Sequence, residues 1–141
     1  MVENVVVVGA GLAAHKVVDT ALGHPLRVEH WDNARRQGRL AAVVLLDRDD
    51  VYDWQPYFYS DQYDVAMEYL GRGGRDDELV VRGSLDDDHF SAYWLAGDTV
   101  TAAMQVNEPR LAGPLRKIVG QVVDRGRLAD PGVPLEEHLA D

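Results

Sequence analysis

The chain of 141 residues contains no cysteine, which excludes disulfides, thiolate metal sites and a redox-active dithiol. No run reaches the roughly 18 apolar residues that a membrane-spanning helix needs, and the apolar start lacks the basic flank of a secretion signal. Positive charge is also scarce. Fourteen Lys and Arg against 24 Asp and Glu leave a formal net charge of -10, with no basic run to meet a phosphate backbone, so nucleic acid is not an expected partner. These absences lead us to expect a cytoplasmic protein with no membrane association.

The remaining composition is that of an ordinary globular protein, 46% hydrophobic and 27% charged, and its length suits one domain or one small domain plus a fragment. The five histidines, at 15, 24, 30, 89 and 138, form no i, i+4 pair, so no metal site is expected. Asp86, Asp87 and Asp88 lack the alternating ligands and distal glutamate of a calcium loop and read as a solvated turn. Ser60 and Asp61 stand outside any G-x-S-x-G elbow, and no catalytic residue is assigned.

The stretch "VVVVGAGLAAHKVV" begins at Val5. Its valines read as a buried strand of a parallel sheet, followed by a helix to about Ala21. Gly9 would allow the tight turn, Gly11 the close approach of a pyrophosphate, and Ala14 the close packing of helix on strand. The helix N-terminus would then face phosphates with open N–H groups. Glu29 lies about 20 residues on, where a ribose-binding acid is expected.

After a turn at Gly23 to Pro25 and a short strand, "DNARRQGRLAAVVLL" reads as a helix with Asp32 as N-cap. Its small residues Ala34, Gly38 and Ala41, with Leu45, share one face and predict close packing against a neighbour, including a second copy in a homo-oligomer. Asp47 to Asp50 read as a solvated linker.

Beyond the linker the pattern becomes extended. "PYFYSDQYD", "VAMEYLG" and "LVVRGSL" predict strands. "HFSAYWL", alternating Phe90, Ala92 and Trp94, and "TVTAAMQV", alternating Val100, Ala102, Met104 and Val106, predict a hairpin. Asn107 is expected to cap a helix bearing Leu111, Leu115, Ile118 and Val122, which Pro114 would break or kink. The chain is thus expected to be α+β: a Rossmann-like βα segment over residues 1–50, then an antiparallel sheet covered by helices over residues 51–141.

The tracts "RVEHWDNARRQG" and "QPYFYSDQYD", in that order, resemble the FAD-dependent NAD(P)H:ferredoxin reductases of the apoptosis-inducing-factor-like flavoprotein superfamily. In these proteins an E-x-W-x-x-A-x-x-Q-G stretch ends the flavin domain and an aromatic-S-D-Q tract opens the C-terminal reductase domain. The likeness continues through "VVRGSLDDDHFSAYWL" and "VNEPRLAGPLRKI". It implies FAD as cofactor, NAD(P)H as co-substrate and a ferredoxin-type iron–sulfur protein as partner.

The resemblance makes Glu29 the first residue of the E-x-W tract rather than a ribose ligand. It sets Glu29, His30 and Trp31 at the edge of the isoalloxazine, with the backbone near Trp31 facing the pyrimidine oxygens. Phe58 and Tyr59 would flank the flavin on the side where the electron partner docks, although the family often has Trp where Tyr59 stands. Full-length relatives carry an FAD domain and an NAD(P) domain before the C-terminal one. The resemblance therefore implies an internally deleted member, an oxidoreductase by kinship but inactive alone. The alternative is a non-enzymatic dimerisation or ferredoxin-docking module.

Overall fold

The computed structural model describes residues 18–19, 24–25, 30–46, 52 and 54–139. The chain divides into two compact units, Met1–Pro56 and Tyr57–Asp141.

In the first unit, strand β1 (Val18–Asp19) pairs antiparallel with β2 (His24–Pro25), Val18 opposite Pro25 and Asp19 opposite His24. The helix expected to reach Ala21 therefore does not include residues 18 and 19, and His24 and Pro25, expected in a turn, are in a strand. Pro25 drives His24 away from helical angles, and β-branched Val18 favours an extended backbone, so both strands suit pairing. The Val5 to Val8 strand, Gly9, Gly11, Ala14, Glu29 and the Asp47 to Asp50 linker lie outside the described residues.

Helix α1 (Trp31–Leu45) has its N-cap two residues earlier than the sequence suggests: His30, not Asp32, holds that position, with extended angles. Asp32 sits in the first turn, where a carboxylate complements the positive end of the helix dipole. The small-residue face is not the buried one. Asp32, Asn33 and Gln37 are buried, whereas Gly38 and Leu45 are exposed and a Cβ on Gly38 would meet nothing within 4 Å. Polar side chains displace the small-residue seam because Asp32 and Asn33 find hydrogen-bonding partners that offset their desolvation.

The second unit is built on a five-stranded antiparallel sheet. Its strands are β3 (Tyr57–Gln62), β4 (Val65–Gly71), β5 (Glu78–Ser84), β6 (His89–Ala96) and β7 (Thr99–Val106), in spatial order β3-β4-β7-β6-β5. The expected β6–β7 hairpin is present, with Phe90 opposite Val106 and Trp94 opposite Ala102. The core lies on the other face from the one its alternation suggests: Tyr93 and Leu95 are fully buried in the core cluster, out of phase with Phe90, Ala92 and Trp94. Both faces of β6 carry apolar residues, so period-2 patterning alone does not choose between them.

A register shift follows Trp94, after which Leu95 pairs with Val100. Thr101 is the extra residue, and this bulge brings Val100 into the core with Ala103, breaking the expected phase with Ala102 and Met104. At the end of β4, Gly71 has φ +83°, and a Cβ there would run into the Thr101 carbonyl oxygen and the Ala102 Cα. Only glycine fits this close approach of two backbones.

Asn107 does not cap a helix. It adopts a left-handed φ of +53°, its Oδ1 accepts from Ala66 N at 2.8 Å and its Nδ2 donates to Asp64 O at 3.1 Å. It thereby ties the end of β7 to the β3–β4 turn. A 3₁₀ turn (Pro109–Leu111) follows, then helix α2 (Ala112–Ile118). Pro114 leaves α2 intact because it occupies the third helical position, where no intrahelical N–H bond is lost. Leu115 and Ile118 are fully buried, each contributing about 1.5–3 kcal/mol by leaving water. Val122 is instead beyond the helix, 73% exposed, bridging Thr99 across the backbone. Helix α3 (Arg125–Ala129), capped by Asp124, and a 3₁₀ turn (Leu135–His138) add Leu128 and Leu135 to the core.

Candidate cofactor-facing and partner-facing sites

Within the first unit, the candidate residues stand at the start of α1. His30 and Trp31 rings lie 5.9 Å apart, and Trp31 is exposed beneath the Arg35 guanidinium at 5.3 Å. No side chain among the described residues caps this helix, and a helix's first turn presents backbone N–H groups of the kind that meet a carbonyl or anionic ligand. Asp32 accepts from Arg35 at 2.9 Å and Arg36 at 2.8 Å. The Arg36 hydrogen bond is the largest cause that holds its pKa below the usual carboxylate value, outweighing burial. Arg36 also lies over Trp54 at 5.3 Å, and Tyr52 donates its hydroxyl to Asn33 Oδ1 at 2.5 Å. The helix start is thus braced by aromatic and cationic side chains.

In the second unit, Phe58 and Tyr59 are neighbours on the outer strand β3 and so point to opposite faces of the sheet. Phe58 pairs with Tyr69 across β4, whose ring meets Trp94 edge-on at 5.2 Å. Tyr59 shares the helix-covered face with Tyr57, ring centroids 6.0 Å apart. A single planar group cannot lie between Phe58 and Tyr59; it meets one face of β3 or its edge.

An open cleft of about 310 Å³ runs along the helix face, lined by Tyr57, Tyr59, Asp61, Glu68, Gln105 and Pro109. Tyr57 donates to Glu68 Oε1 at 2.6 Å, Gln105 donates to Glu68 Oε2 at 3.2 Å, and Gln105 Oε1 accepts from Glu108 N at 2.6 Å. Arg116 of α2 stacks 4.8 Å over the Tyr57 ring. Burial first, then the Glu68 carboxylate, pushes the Tyr57 hydroxyl up to about 12. Sequence reasoning missed Tyr57, Glu68 and Gln105. The i, i+2 spacing of Tyr57, Tyr59 and Asp61 was the available signal, but Glu68 and Gln105 enter through cross-strand register. Ser60 and Gln62 fall on the opposite face, Gln62 reaching Ser60 Oγ at 3.4 Å. Among the described residues no cluster of His, Asp and Glu is arranged to hold a metal ion, and no helix is long and apolar enough to cross a membrane.

Comparison with known proteins gives the family. The reductase C-terminal family model matches residues 57–139, and the chain belongs to that family. It is 39% identical over 121 residues to the ferredoxin–NAD(+) reductase component of the anthranilate 1,2-dioxygenase system of Burkholderia cepacia, covering 84% of this chain and 30% of the relative. Putidaredoxin reductase of Pseudomonas putida is 34% identical, over 82% of this chain and 28% of its own length. The crystal structure of the covalent putidaredoxin reductase–putidaredoxin complex superposes with a TM-score of 0.73 at 32% identity, over 85% of this chain and 29% of that one. The chain therefore spans less than a third of the length of these relatives. The antiparallel sheet with its covering helices is the α+β architecture expected from the sequence.

Proposed function

We propose that this chain supplies the partner-facing C-terminal domain of an FAD-dependent NAD(P)H:ferredoxin reductase system in the cytoplasm. The observation that carries the reading is the family match over residues 57–139, with an aromatic strand, Tyr57 to Tyr59, at the outer edge of the sheet. The start of α1 suits a flavin, because a helix N-terminus presents backbone N–H groups: Trp31 and the backbone beside it would meet the pyrimidine oxygens, with His30 and Glu29 at the ring edge. Gly9, Gly11 and Ala14 would serve its phosphates, and Phe58 and Tyr59 the side where a ferredoxin-type protein docks. Bound FAD would accept a hydride from NAD(P)H and release electrons singly. The polypeptide's share is to position that ring and shield one side of it.

Relatives named as ferredoxin reductases support this reading, and one of them was solved with its putidaredoxin attached. The purified full chain, titrated with FAD, is expected to bind it weakly and to show no NAD(P)H-driven reduction of a ferredoxin. Turnover by the chain alone would overturn the expectation of inactivity. The division of the chain into two units favours a second reading, a docking module without flavin. A colourless, folded protein that binds a ferredoxin by calorimetry would establish it.

A further inference from the structure

The C-terminal segment from residue 130 to Leu139 is held to the sheet by two kinds of attachment. Arg82 of β5 reaches four main-chain carbonyls, those of Leu128 at 3.3 Å, Asp130 at 2.8 Å, Pro131 at 3.3 Å and Val133 at 2.5 Å. That attachment does not respond to pH, because guanidinium stays charged throughout the physiological range. The other is hydrophobic: Leu135 is buried in the core and Leu139 packs against it. Between them sits His138, 9% exposed, with its Nε2 buried and without a hydrogen-bond partner.

We propose that His138 makes the end of this segment an acid-released strap: the imidazole seats the Leu135–His138 turn only while neutral, and its protonation loosens residues 134–139 from the sheet, beyond the carbonyls that Arg82 holds. A buried imidazolium needs two acceptors for its two N–H groups, and Nε2 has none. Its surroundings add repulsion. Arg127 approaches from α3 and Arg82 from β5, opposed by the carboxylates of Glu137 and Asp124. The element α2, which also packs on the turn, contributes the buried Leu115 and Ile118. Burial, then Arg127 and Arg82, hold the pKa below the ordinary histidine value. For such a group the seated form keeps its full stability above the ordinary value near 6.5 and loses it as pH falls through the lowered one. Arg82 remains as the hinge, so the strap swings out while the five strands stay paired.

Hydrogen exchange on the full chain tests this. Between about pH 7.5 and about pH 5.5, protection factors of the Glu137 and Leu139 amides, corrected for intrinsic rates, are expected to fall at least about threefold relative to Tyr93 and Ala103. In His138→Gln that fall should vanish. An unchanged parent, or a His138→Gln chain that keeps the parent's fall, overturns the proposal. Should His138→Gln lose protection throughout the sheet, His138→Phe replaces it, with the same two outcomes. An NMR titration of the parent decides independently: a His138 midpoint below that of an unstructured histidine peptide supports the strap, and one at or above it overturns it.

Discussion

Glu68 is the residue on which the cleft depends, since Tyr57 and Gln105 both donate to it. Tyr57→Phe would leave Oε1 without its donor, and an expected loss of about 1–2 kcal/mol in urea unfolding measures that bond. Burial of the Tyr57 hydroxyl, and after it the same bond, governs alkaline behaviour. Because folding raises the Tyr57 pKa from 10 to about 12, its contribution is fully present below pH 10 and is lost as pH climbs through the folded value. A spectrophotometric tyrosine titration should therefore show Tyr57, together with the buried Tyr93, lagging the remaining phenols; six phenols ionising together would contradict the geometry. Asp32 has the opposite sign. Its folded pKa is lowered, so its contribution is present above 3.8 and fades as pH falls through the folded value. Arg36→Gln should raise the Asp32 midpoint more than Arg35→Gln in a carboxyl carbon NMR titration.

Elements were more legible than their faces. All five strands of the sheet stand where β-branched and aromatic runs, broken by glycine and aspartate, predict them, because local chemistry decides where a strand can start and stop. The face of β6 that enters the core was not legible: Phe90 and Trp94 are as apolar as Tyr93 and Leu95, and the decision rests with helix-borne Leu115 and Ile118, distant in sequence. The bulge at Thr101 was invisible for a similar reason, being set by the fit of β7 against β6. Asn107 was misread because capping and left-handed turns favour the same side chain. Likewise the sequence named Phe58 and Tyr59, but Glu68 and Gln105 join them only through strand pairing. Gly71→Ala tests the closeness of β4 and β7. With a positive φ and backbone atoms in the way, it should cost more than about 2 kcal/mol by thermal unfolding.

At the scale of the whole molecule, the core cluster of the second unit, from Leu70 to Leu135, is assembled within residues 57–141. That segment expressed alone should unfold in one cooperative calorimetric transition; a broad, probe-dependent transition would show that it needs the preceding residues. The strand order also has a kinetic consequence. The hairpin β3–β4 and the meander β5–β6–β7 each form from neighbouring chain, whereas Leu70 must find Ala103 across more than thirty residues. Closing that loop costs entropy before the contacts repay it. Folding is therefore gated at the β4–β7 seam, where Gly71 passes Thr101 and Asn107 clasps Ala66, so truncations there should slow refolding in stopped flow, while truncations at the β5 edge should chiefly hasten unfolding.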